Sequence, residues 1–176
     1  MEFQRSGFRT ESVEIGGGDD ADPPPWGRMA ADRRRKEMKV MAASHWLVKS
    51  EPNSYSYADL ERDGRTVWDG VRNNAAALHL KAMKEGDEVL FYHSQEGLAV
   101  VGVARVVRTA FPDATDPAGR FVAVELAPIR ALAKPVTLAA MKAEPALAGM
   151  AMLRQSRLSV SPVSDAEWDV ILKMAA

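Results

Sequence analysis

Between Glu88 and Leu132 the chain carries three strand-like runs in succession, with no helix alternating between them. They are Glu88 to His93, Leu98 to Arg108 and Phe121 to Leu132. Together they are rich in Val, Phe and Tyr, and Gly- or Pro-containing turns join them. Strand neighbours of this kind, without crossover helices, favour antiparallel pairing. The pattern predicts an α+β fold: a mixed or antiparallel sheet, barrel-like, with helices on its rim.

The segments around these runs fit that frame. His45 to Lys49 reads as a strand ended by Pro52. Ser56 is placed to cap a short helix to about Arg62. Asn73 is placed to cap another to about Met83, with Gly86 beyond its end and Ala76, Leu80 and Met83 on one face. Pro135 precedes a predicted helix over 137–143, and Leu158 to Val160 reads as a short strand. Ser164 with Glu167 three residues later forms a capping box for a final helix to about Met174.

The first forty residues are different. Gly16-Gly17-Gly18, Asp19-Asp20-Ala21-Asp22, Pro23-Pro24-Pro25 and Arg33-Arg34-Arg35-Lys36 follow one another with few apolar residues and no period. Such a stretch buries too little surface to offset its ordering entropy. Residues 1–43 are therefore expected to be a disordered extension, and residues 44–176 the folded domain. The arginine run reads as a solvated linker or as a nucleic-acid patch. A further reading puts the natural start at Met38 or Met41, with the upstream residues a misassigned start.

Composition narrows the function classes. The formal net charge is -1, with eight Lys/Arg and eight Asp/Glu in residues 1–40 and fifteen against sixteen in the rest. No overall cationic field drives nucleic-acid binding. The absence of cysteine excludes disulfides, thiolate metal sites and a cysteine nucleophile. Three histidines, His45, His79 and His93, leave little for a metal site, so neither metal nor cofactor is expected. No apolar run approaches a membrane span and the N-terminal residues lack the basic-then-apolar layout of a secretory signal, so a soluble, cytoplasmic protein is expected, nucleoid-associated if bacterial. No phosphate-binding loop, dinucleotide fingerprint, zinc-protease motif or nucleophile elbow occurs. His93 and Ser94 are adjacent, but neighbouring strand residues point to opposite faces, which argues against a direct proton relay.

Four polar-aromatic clusters sit where strands or helices end: Trp46-Leu47-Val48-Lys49-Ser50-Glu51-Pro52, Trp68-Asp69-Gly70-Val71-Arg72-Asn73, Phe91-Tyr92-His93-Ser94 and Arg154-Gln155-Ser156-Arg157-Leu158-Ser159. Each has an ordinary structural explanation. Trp46 and Trp68 fit a core, Asp69-Gly70 a turn, Asn73 a helix cap, His93 a satisfied strand residue, and Arg154 and Arg157 a solvated face or, for Arg157, a pair with Glu51. All four together, in this order and at this spacing over residues 45 to 175, resemble the EVE domain family. The resemblance implies a PUA-like fold related to YTH and ASCH domains. It also implies a non-enzymatic pocket for a flipped, modified base, with 5-methylcytosine and 5-hydroxymethylcytosine in DNA as proposed ligands. Two departures stand out. The stretch Asp116 to Phe121 is shorter than in many relatives, and Phe121 stands where Trp is common, which implies weaker stacking or a roomier cavity if that ring lines the pocket.

A base lifted from a duplex needs apolar contact on its faces and donors and acceptors along its edge. Stacking on one ring is worth about 1–3 kcal/mol and extrusion costs a few, so two walls, or one wall plus edge hydrogen bonds, are needed. Trp46, Trp68 and Tyr92 are the candidate walls. Ser50 and Asn73 are candidate edge readers, and His93 and Ser94 candidates for the exocyclic group. Lys49, Arg72, Arg154 and Arg157 are the candidate phosphate contacts, positioning without reading sequence. Burying one methyl gains about 0.8 kcal/mol, roughly fourfold. The expectation is weak, modestly selective binding of DNA or RNA carrying a modified base. A small-ligand or nucleotide hydrolase in the same cleft and a protein-interaction module are the rival readings.

Overall fold

The computed structural model describes residues 44–176; the expectation of a disordered extension falls outside them. The elements run in the order β1 (His45–Ser50), α1 (Tyr57–Asp63), β2 (Thr66–Trp68), α2 (Asn74–Ala82), β3 (Glu88–His93), β4 (Ala99–Pro112), β5 (Val122–Thr137), α3 (Leu138–Ala143), a 3-10 turn (Pro145–Leu147), α4 (Ala151–Arg154), β6 (Val160–Val163) and α5 (Asp165–Met174). Six strands form one sheet in the order β2-β5-β4-β3-β1-β6. β3, β4 and β5 pair antiparallel, as their succession in sequence predicts. β1 lies parallel to β3, with Lys49 opposite Tyr92, and antiparallel to β6. The fold is mixed α+β.

Two features depart from the expected architecture. The sheet is open rather than closed into a barrel. β2 and β6 stand at opposite ends of the strand order, and at three and four residues they are short edges. The helices cover both faces rather than the rim. On one face Tyr57 and Leu60 of α1 and Ala76 and Leu80 of α2 pack over Trp46, Val48, Val89 and Phe91. On the other, Met141 of α3, Met152 of α4 and Trp168 and Ile171 of α5 join Leu47, Leu90, Tyr92 and Val100. Strands covered on both faces carry continuous rather than alternating apolar residues, which explains Trp46-Leu47-Val48 and Val89-Leu90-Phe91-Tyr92, buried throughout.

Local signals act as the physical chemistry requires. Ser56 accepts from the Asp59 N–H while the Asp59 carboxylate accepts from the Ser56 N–H. Ser164 and Glu167 repeat this box at α5. Each such cap is worth about 1 kcal/mol. Pro135 is accommodated inside β5, which runs on to Thr137, and Thr137 then caps α3. Gly102 is forced by packing: a Cβ there would lie 2.3 Å from the Tyr57 ring, whose hydroxyl donates to the Val103 carbonyl at 2.7 Å.

Candidate functional site

A hollow of ≈ 490 Å³ opens at the C-terminal end of β1. Lys49 and Ser50, the last two residues of β1, line it. Ser54 and Tyr55, the strand β2, the loop 69–72 and Ser159 complete the wall. Trp68, half-buried, meets the Phe91 ring edge-on at 5.6 Å and 79°. Phe91 is fully buried and also contacts Tyr57, so the indole stands on a rigid aromatic base. Tyr55 enters from the loop after Pro52. Its carbonyl accepts from the Ser50 hydroxyl at 2.6 Å and its own hydroxyl donates to Asp63 at 3.1 Å. Ser50 therefore turns only lone pairs towards further partners.

The loop beyond Trp68 is held by one buried carboxylate. Asp113 Oδ2 accepts from the Gly70 N–H at 2.9 Å and from Arg72 Nη1 at 2.7 Å. Its Oδ1 accepts from the Thr115 N–H at 2.7 Å and hydroxyl at 2.6 Å. Burial alone would raise the Asp113 pKa, but the hydrogen bonds from Thr115, Arg72 and Gly70 outweigh it and hold the carboxyl well below the usual carboxylate range. Gly70 makes the turn in the left-handed region, at φ 72°. Asp69 is left exposed on the wall of the hollow instead of capping the turn. Arg72 has a second bond from Nη2 to Thr115 Oγ1 at 2.7 Å and lies 5.4 Å from the Phe121 ring centroid. Its first task is to pin the loop, and its half-exposed guanidinium also reaches the rim. Phe121 is nine-tenths buried under the two arginines Arg72 and Arg120 rather than walling the hollow.

Of the eleven residues singled out in sequence, four meet here: Lys49, Ser50, Trp68 and Arg72. The other expected walls are elsewhere. Trp46 is packed in the core at 8% exposure, its Nε1 donating to Asp87 at 2.8 Å. Tyr92 faces the opposite side of the sheet, because side chains alternate along β3 and Phe91 takes the side of Trp68. Ser94 lies with Tyr92. Asn73 spends its side chain on the Ala76 N–H at 3.0 Å and caps α2. His93 Nε2 accepts from the Tyr57 N–H at 3.1 Å, which requires the neutral ring protonated at Nδ1; burial lowers its pKa accordingly. A histidine so engaged is a helix-start partner rather than a general base. Arg154 and Arg157 are exposed on a neighbouring hollow of ≈ 320 Å³ beside Asn73. Lys49 Nζ donates to the Ser156 carbonyl at 2.8 Å, and burial lowers its pKa. Tyr55 and Asp113 were not legible as site residues: one lies in a loop without periodicity, the other far along the chain.

Comparison with known proteins follows this geometry. Residues 44–174 match the EVE domain. Human thymocyte nuclear protein 1 is 32% identical over 166 residues, covering 75% of this chain and 74% of that protein. A solution structure from Rhodopseudomonas palustris is 48% identical, with a TM-score of 0.72 over 76% of this chain and 93% of its own. A crystal structure of human THYN1 protein in complex with 5-methylcytosine-containing DNA is 31% identical, with a TM-score of 0.72 over 76% of this chain and 98% of its own. The four linked motifs, the strand order and these likenesses agree: the chain belongs to the EVE domain family.

Proposed function

We propose that this domain is a non-catalytic reader of a modified base in nucleic acid, with the base taken out of its stack and held in the hollow beside Trp68. The observation that carries the reading is the composition of that hollow. It offers a half-buried indole on a rigid aromatic support, a second ring from Tyr55, and the polar side chains of Ser50, Ser54 and Asp69, with Lys49 and Arg72 at the rim. Its volume of ≈ 490 Å³ is in the range of small-ligand pockets. The rings supply stacking, and Asp69 can accept from the exocyclic amine of cytosine. Val71 supplies an apolar contact for a methyl group. The DNA-bound human relative makes 5-methylcytosine the first ligand to try and DNA the first partner.

The test is a fluorescence polarisation titration with single- and double-stranded DNA and RNA carrying cytosine, 5-methylcytosine or 5-hydroxymethylcytosine. Modified DNA is expected to bind best, with a preference of about fourfold for one buried methyl. Trp68→Ala should weaken binding about tenfold, within the worth of one stacked base. Trp46→Phe should cost about 1–2 kcal/mol of stability through the lost bond to Asp87 and leave affinity unchanged. Equal affinity for every modification, or wild-type binding by Trp68→Ala, would overturn the reading.

A further inference from the structure

We infer that the hollow beside Asn73 holds a phosphate of the nucleic-acid strand, adjoining the base taken up beside Trp68. The inference rests on the base-reading function and extends its ligand from a single base to a base with its neighbouring phosphate.

Two segments of chain pass directly from the wall of one hollow into the wall of the other. Arg72 lines the first and Asn73 the second; Ser159 lines the first and Leu158 the second. Consecutive Cα atoms lie about 3.8 Å apart. The two hollows therefore adjoin along a shared ridge, within reach of a nucleotide's own phosphate.

The second hollow, ≈ 320 Å³, suits an anion. Arg154 ends α4 and Arg157 follows on the way to β6; both are exposed on the hollow, and no carboxylate lines it. The arginines held in ion pairs are Arg62, Arg65, Arg72 and Arg108. Arg154 and Arg157 have no acidic partner among the described residues. Lys49 and Arg72, by contrast, are already engaged by the Ser156 carbonyl and by Asp113. Asn73 adds a neutral donor: its side-chain oxygen accepts from the Ala76 N–H, which leaves the amide NH₂ for a ligand.

The loop that carries the two arginines is anchored. The Gln155 N–H donates to the Ala151 carbonyl at 2.9 Å, the Leu158 N–H to the Gln155 carbonyl at 3.0 Å, and the Lys49 N–H to the Ser159 carbonyl at 3.0 Å. Leu158 is buried in the core beneath it. An anchored loop loses little freedom on binding, and each guanidinium fork matches two phosphate oxygens.

The experiment titrates the full chain with 5-methyl-2′-deoxycytidine, its 5′- and 3′-monophosphates and inorganic phosphate, following backbone amide resonances. The nucleoside should shift Trp68 and its loop. One of the monophosphates should also shift Asn73, Arg154 and Arg157 and bind about tenfold more tightly than the nucleoside. Inorganic phosphate should bind about tenfold more weakly than that nucleotide, because no base holds it beside the arginines. Replacing both arginines, Arg154→Gln with Arg157→Gln, should abolish the nucleotide's advantage and lower the magnitude of the salt slope for a methylated oligonucleotide by about one. Both side chains are exposed, so the thermal midpoint should not move, and the preference for methylated over plain cytosine should survive. The two readings fail separately: wild-type protein that binds methylated and plain nucleotides equally counts against base reading, not against the phosphate site. No gain from either phosphate, a gain that outlasts loss of both arginines, or inorganic phosphate bound as tightly as the nucleotide would each overturn the inference.

Discussion

The two faces of the sheet are built from different materials. On the side of α1 and α2 the packing is aromatic: Trp46, Tyr57 and Phe91 are buried, with Tyr55 and Trp68 at the margin. On the side of α3 to α5 three buried methionines, Met141, Met150 and Met152, fill the space beside Leu147, Ile171 and the rings of Tyr92 and Trp168. Rings in edge contact have defined geometry, whereas methionine adapts to irregular gaps. Both faces end in a hollow at the same end of β1, and Lys49 lines both. The aromatic side presents a rigid surface suited to a planar group. The other presents a softer apolar wall with ammonium groups.

The sharpest way to break this contrast is to remove a keystone from each face. Phe91 touches Tyr57, Trp68 and His93 and is fully buried. Phe91→Ala should cost about 3–5 kcal/mol, measured as a fall in the urea midpoint, and should weaken oligonucleotide binding because Trp68 loses its support. Met141→Leu, at an equally buried position, conserves volume and should cost less than about 1.5 kcal/mol. Similar losses at the two positions would remove the distinction between a rigid and an adaptable face.

Asp113 comes next. It joins the loop of Trp68 to the turn between β4 and β5, and its carboxylate is buried while Arg72 is half-exposed. Asp113→Asn should cost about 1–3 kcal/mol, less than breaking a fully buried pair. Its pKa is lowered by folding, so its contribution is present above the unfolded value of about 3.9 and is lost as pH falls towards the depressed folded value. The stability difference between wild type and Asp113→Asn should therefore be largest near neutrality and shrink as the solution is acidified below about pH 4. A gap that stayed constant down to pH 3 would mean that Asp113 holds the loop by shape rather than by charge.

Local signals were legible from sequence and long-range placement was not. Ser56, Asn73 and Ser164 identify their helix starts because a cap is settled within four residues. The run Glu88 to His93 gives β3 with the boundaries expected. The three-residue strand β2 carries no period of its own and exists because Thr66 to Trp68 find β5. The pocket failed at the same level. Strand alternation correctly groups Trp46 with Ser50, but whether Tyr92 shares their face depends on the parallel register of β1 against β3, which no local pattern encodes. Asn73 and His93 have the chemistry of base readers, but nearby backbone N–H groups claim them first.

Lys49 gives the finest comparison, because it borders both hollows and its ammonium is already held by the Ser156 carbonyl. Burial lowers its pKa, so the site is costly for a charge and gains from an anion on either side. If the rim of the aromatic hollow contacts one phosphate through Lys49, Lys49→Gln should weaken binding uniformly across modified and unmodified oligonucleotides and reduce the magnitude of the salt slope by about one. The fourfold preference for the methylated base should survive, since a phosphate contact positions without reading. Loss of methyl preference with an unchanged salt slope would place Lys49 against the base itself and redraw the boundary between wall and rim.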